Sequence, residues 1–167
     1  MAILIILLAT FIFAILVRRF GFSQQPINYR LCGRIALAAM FLFTGISHFV
    51  LDDSMVQMLP AFVPLRYFII YGTGILELLF AVGLLLPNYF RLTGILVIAF
   101  LICVFPSNVY AALNSVDFGG NVNGPMYLLF RAPLQVFLIA WAWIVAVRQP
   151  VEVIASHHYK SNFEKRH

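Results

Sequence analysis

The chain has 167 residues, enough for one domain, and 63% of them are hydrophobic against only 10% charged. A soluble fold of this size cannot hide that much apolar surface, so with a mean hydropathy of +0.97 part of it must face lipid. Soluble enzymes, disordered chains and nucleic-acid-binding modules are thereby excluded, and the net charge of +5 reads first as membrane topology.

A membrane-spanning helix needs about 20 mostly apolar residues. The first candidate runs from Ala2 to Val17 and extends through Phe20. No positive residue precedes it and Arg18-Arg19 follow it, so residues 1–22 read as an uncleaved anchor helix rather than a signal peptide. Four more spans follow, at Leu31–Leu51, Tyr67–Leu86, Leu92–Leu113 and Met126–Val147, and they predict a four-helix membrane bundle over 30–147. A polar tail, 148–167, closes the chain; its His157-His158 pair reads as solvated rather than metal-binding. The joints are turn-rich, as at Pro87-Asn88 and across Gly119–Pro125. Cys32 and Cys103 lie far apart in apolar runs, which speaks against a disulfide framework, a zinc site or a paired-thiol redox centre.

Loop charges predict an orientation. The first loop, the third loop and the tail carry Arg18, Arg19, Arg30, Arg91, Arg148, Lys160, Lys165 and Arg166, eight charges against the single Arg66 of the other side. The positive-inside rule then places the N-terminus outside and the tail in the cytoplasm, with anionic lipid headgroups as partners of the basic residues.

Ionisable residues inside a span are expensive and persist when paired or functional. Glu77 lies near the middle of the third span, about 15 Å below its outer end at 1.5 Å per residue. Arg131 lies about one and a half turns into the fifth span, with Gln135 four residues on and on the same face. His48 falls just inside the outer interface with Thr44 one turn deeper, and Asn108 lies about 7–8 Å below the surface in the fourth span. Glu77 and Arg131 fit either a buried structural ion pair or a binding site. Asn108 and Gln135 fit either helix-to-helix ties or the same site. The small residues Thr73, Gly74 and Ala81 share the face of Glu77, while Ile75, Leu79 and Val82 point the other way, toward lipid. Arg34, near the basic interface, can snorkel, and Trp141 and Trp143 read as lipid-facing or interfacial anchors.

Pro106 and Pro133 interrupt the fourth and fifth spans and free the carbonyls of Ile102 and Leu129. Such carbonyls need a partner or a wet cavity, which predicts a partly hydrated pocket open outward or laterally. Phe105, Tyr110 and Tyr127 are candidates for an aromatic wall. The second loop is apolar and broken by Pro60 and Pro64, and reads as an interfacial connector or as a lid over the polar cluster.

Several segments in order resemble the DoxX family of small membrane proteins. They are Gly45-Ile46-Ser47-His48-Phe49, Met58-Leu59-Pro60 with Pro64, Gly74-Ile75-Leu76-Glu77-Leu78-Leu79, Gly83-Leu84-Leu85-Leu86-Pro87, Phe105-Pro106-Ser107-Asn108-Val109-Tyr110 and Arg131-Ala132-Pro133-Leu134-Gln135. The resemblance covers Arg30 to Val147 and implies an all-α, polytopic bundle with a four-helix DoxX-like core, here with one extra N-terminal helix. It also implies a place in a bacterial inner membrane and in a membrane redox system. The chain lacks the paired thiols of the redox-associated branch of related proteins. Two functions are expected. One is a quinone or other small lipophilic ligand bound by Glu77, Arg131, Gln135, Asn108 and His48, the carboxylate accepting or relaying a proton. The other is a non-catalytic membrane subunit or assembly factor whose polar cluster is structural. No group in the sequence carries electrons by itself, so redox work requires a cofactor or a partner subunit. Transport ranks last, for want of an internal repeat.

Overall fold

A computed structural model describes residues 2–20, 28–114 and 126–148. They fold as an all-helical bundle: α1 (Ala2–Phe20), α2 (Tyr29–Val50), a short α3 (Asp52–Val56), α4 (Arg66–Leu85), α5 (Phe90–Leu113) and α6 (Met126–Ala142), which runs on into a π turn, Trp143–Val147. Five of the helices, the last counted through Val147, are long and apolar enough to cross a membrane. The protein is therefore an integral membrane helical bundle in contact with lipid. The Gly119–Pro125 loop, the side chain of Tyr127 and the tail beyond Arg148 lie outside the described residues.

Local sequence explains the helix boundaries. The side chain of Asn28 accepts a hydrogen bond from the Leu31 N–H (3.1 Å), satisfying one of the four free amides that open α2. Pro64 precedes Leu65, whose left-handed backbone (φ 53°) turns the chain into α4. At the other end of the bundle, Arg30 Nη1 donates to the Arg148 carbonyl (2.6 Å), capping the end of the π turn. The Arg34 guanidinium lies 3.9 Å from the centre of the Phe90 ring, which gives its charge a partner at that end.

The core runs through the bundle along Leu37, Met40, Phe41, Phe80, Leu84, Val97, Leu101, Leu138 and Ala142. Phe80 sits between Phe41 and Phe100, with ring centres 5.8 and 5.4 Å away and edges turned to faces. α1 joins this core: Leu7 is fully buried in it, and Phe11 meets Trp141 edge to face at 4.9 Å. Trp141, expected as a lipid-facing or interfacial anchor, is half-buried and also bonded to the bundle. Its indole N–H donates to the Gly33 carbonyl (3.2 Å), because an N–H in an apolar layer needs an acceptor. Trp143 is exposed, as are Ile75, Leu79 and Val82.

α2 and α4 pack closely against each other. A Cβ on Gly74 would stand 2.7 Å from His48 Cβ, and one on Gly45 would stand 3.1 Å from the Gly74 carbonyl oxygen. Only residues without a side chain allow this approach. Phe49 stacks on Tyr71 at 5.7 Å, so the end of α2 lies level with the second turn of α4.

Candidate functional site

That close crossing brings His48 of α2 onto α4. Nδ1 of His48 lies 3.0 Å from the Ile70 carbonyl oxygen and 3.3 Å from Thr73 Oγ1. A carbonyl oxygen only accepts, so Nδ1 carries a proton and the other nitrogen, Nε2, is free for a second partner. Nε2 lies 3.4 Å from Glu77 Oε1. The Thr73 hydroxyl is itself 2.9 Å from the carbonyls of Ile69 and Ile70, which fixes it beside the ring.

Glu77 is only 7% exposed. Its second oxygen, Oε2, is buried and has no hydrogen-bond partner among the described residues. A polar atom in that position is costly unless something satisfies it. Phe80 follows one turn later on the same buried face. Glu77 thus holds an unsatisfied acceptor one helical turn from Phe80, which packs between Phe41 and Phe100.

Arg131 is not the partner of Glu77, as the sequence allowed. The side chain that faces the Glu77 carboxyl is His48, with Nε2 3.4 Å from Oε1. The depth count missed this because it followed Cα atoms from span ends. A helical side chain leans toward the N-terminus of its helix, so the long Glu77 chain reaches back up α4 to the level of His48. Arg131 is half-buried, and its Nε has no partner among the described residues.

Of the two amides, Gln135 ties helices together and Asn108 bonds within its own helix. The Gln135 side chain donates to the Leu101 carbonyl of α5 and is buried, joining α6 to α5. Asn108, 4% exposed, donates back to the Val104 carbonyl in its own helix (3.2 Å). Both bonds fall beside Pro106 rather than at the Ile102 carbonyl that it frees. Among the expected residues, then, the structure joins His48 with Glu77, and Gln135 with α5. Phe105 and Tyr110 are half-buried on α5.

A network that sequence reading missed closes the same end of α4. Tyr71 donates to Asp52 and Tyr67 donates to Asp53 at 2.8 Å. The Tyr71 hydroxyl, followed by the Asp53 backbone N–H, holds the exposed Asp52 carboxyl below its usual range. Met55 and Val56 of α3 are buried against Ile70, the residue whose carbonyl receives His48. The signal was present as tyrosines at i and i+4 after an Asp-Asp pair, spaced to share one helix face.

A family model described as a domain of unknown function (DUF8561) matches residues 37–146, a stretch that holds His48, Glu77, Asn108, Arg131 and Gln135. No curated protein and no solved structure matches the chain.

Proposed function

The chain belongs to the DUF8561 family, and we propose that its bundle binds a small lipophilic ligand, a quinone or a similar ring compound, at the His48–Glu77 pair as part of a membrane redox system. One observation carries this reading: Glu77 Oε2 is buried and has no partner among the described residues, beside a histidine whose other nitrogen is already tied down. A purely structural polar group in a membrane has its partners supplied by the fold, as Gln135 does. An acceptor left open in the interior suits a ligand, and intramembrane carboxylates lean toward function. The DoxX resemblance across Arg30 to Val147 supports the same reading, with a bacterial inner membrane as its setting. The contacts of Arg30 with Arg148 and of Arg34 with Phe90 gather basic residues at one end. The positive-inside rule makes that end cytoplasmic, with the N-terminus outside and the His48–Glu77 pair in the outer half of the membrane.

A second reading has its own observation. Ile5, Ile12, Phe13 and Leu16 of α1 are exposed along an apolar helix, a surface that suits docking of a membrane partner subunit. The protein would then be a non-catalytic subunit or assembly factor.

Native mass spectrometry after gentle detergent extraction separates the two. A small lipophile carried by the wild type and lost from a folded Glu77→Leu variant supports the ligand site. A co-purifying protein, no small molecule and no effect of the substitution would overturn it in favour of the subunit reading.

A further inference from the structure

We propose that the loop of residues 57–65 is inserted in lipid: Phe62 and Leu65 enter the bilayer interface at the head of α4, where acyl chains cover them. This inference is independent of the ligand-site reading.

The loop and the short helix before it have two sides. Met55 and Val56 of α3 are buried against Ile70, and Leu59 packs on the same cluster. Beyond Pro60 the apolar side chains turn outward: Phe62 is 86% exposed and Leu65 76%. Neither closes over the His48–Glu77 pair as a lid. The Val63 N–H donates to the Pro60 carbonyl (3.1 Å), a turn that holds Phe62 at its corner. Leu65 stands in the left-handed region (φ 53°), which a leucine side chain resists. In water, glycine or asparagine suits such turn positions, and an exposed phenylalanine or leucine gains nothing there. Against lipid the same side chains leave water, which favours this arrangement.

Continuity with α4 names lipid as the occupant. Phe68, Ile75, Leu79 and Val82 recur at helical spacing along one face of α4, and all are exposed. α4 is long and apolar enough to span a membrane, so this stripe faces acyl chains. Leu65 stands at the head of α4, three residues before Phe68. Polar groups fix the level. Tyr67 and Tyr71, tied to Asp53 and Asp52, mark the interface, where such amphipathic rings sit between lipid and water. The loop backbone agrees with that depth. The N–H groups of Met58, Leu59 and Val63 are bonded within the chain, and Pro60 and Pro64 have none. More than half of the loop's residues therefore have no free N–H, and interfacial water serves the rest. Ile70 also receives His48 Nδ1, so a loop held by lipid steadies the residue that carries the histidine contact.

Nitroxide labels test this on the full-length protein in phosphatidylcholine–phosphatidylglycerol vesicles. The native thiols are removed as Cys32→Ala/Cys103→Ala, and single cysteines are placed by Phe62→Cys, Leu65→Cys, Leu79→Cys and Gln57→Cys. All four positions are exposed, so the labels leave the packing intact. Power-saturation EPR compares collisions with oxygen, which concentrates in lipid, and with a water-soluble nickel chelate. Leu79→Cys gives the lipid reference and Gln57→Cys the water reference. The expected oxygen-to-nickel ratio at positions 62 and 65 is several-fold above that at position 57 and approaches that at position 79. Ratios at 62 and 65 equal to that at 57 would place both side chains in water and overturn the proposal. Shielding of both labels from oxygen and nickel alike would overturn it too, and would assign the surface to a partner protein or a second copy of the chain.

Discussion

The His48–Glu77 pair depends on how closely α2 approaches α4, and Gly74→Ala tests that dependence. The new Cβ would stand 2.7 Å from His48 Cβ, with Phe49 Cε2 at 3.2 Å and the Gly45 carbonyl oxygen at 3.3 Å. Two of those three neighbours are a Cβ and a backbone atom, which cannot swing aside, so the helices must part by about 0.7 Å to restore ordinary contact. The same movement carries His48 Nδ1 from 3.0 Å toward about 3.7 Å from the Ile70 oxygen, past hydrogen-bond range. Overpacking costs about 1–3 kcal/mol and the lost hydrogen bond about 0.5–1.5 kcal/mol, while alanine returns about 0.5–1 kcal/mol of helix propensity. The net expectation is a loss of about 2 kcal/mol, within about 0.5–4 kcal/mol. Gly72→Ala is the matched control, because a Cβ there meets nothing within 4 Å; it should gain about 0.5–1 kcal/mol. Reversible unfolding in mixed detergent micelles measures both. Equal shifts for the two variants would refute the claim that the Gly74 crossing holds the site together.

Other expectations follow from the same contacts. His48→Ala leaves Glu77 buried without its partner and should cost about 1–3 kcal/mol, whereas the double variant His48→Leu/Glu77→Leu should recover most of that loss while binding no ligand; unfolding of the single and double variants checks both. Gln135→Leu removes the donor to the Leu101 carbonyl and should cost only about 0.6 kcal/mol, near the average for such contacts in membranes. Tyr71→Phe should raise the Asp52 pKa toward the ordinary carboxylate value, read by NMR titration, since the Tyr71 hydroxyl is the main cause of its depression. With the folded value below the unfolded one, the stabilisation from this pair is present above the ordinary aspartate range and is lost as pH falls through the folded value.

Run length alone made the five spans legible, because a stretch such as Ala2–Phe20 has no soluble alternative. The small-residue face of α4 was legible too: Gly74, Glu77 and Ala81 are all buried, and Ile75, Leu79 and Val82 are exposed. The pairing of polar groups was not, since it turns on the reach and lean of side chains and on the α2–α4 register that the Phe49–Tyr71 stack reveals. Counting depths drew Glu77 toward Gln135 and Arg131, whereas its partner is His48. The π turn at Trp143–Val147 left no sequence sign either. It packs into the space left by Gly33 and Gly94, where a Cβ would meet Val145 or Ala146 at 2.6 Å. Such fits belong to packing between helices distant in sequence, to which the periodicity of a single span is blind.

The central claim is that His48 and Glu77 form one unit, with His48 Nδ1 on the Ile70 carbonyl and Nε2 beside Glu77 Oε1, that leaves the other carboxyl oxygen without a partner among the described residues. Solid-state ¹⁵N NMR of histidine-labelled protein in lipid bilayers tests it most directly, with the His48 signals identified by their loss in His48→Ala. The account predicts a protonated Nδ1 in the wild type and in Glu77→Leu, with an Nε2 resonance that moves when Glu77 is removed. A neutral ring protonated at Nε2 and bare at Nδ1, or an Nε2 signal indifferent to Glu77→Leu, would contradict it.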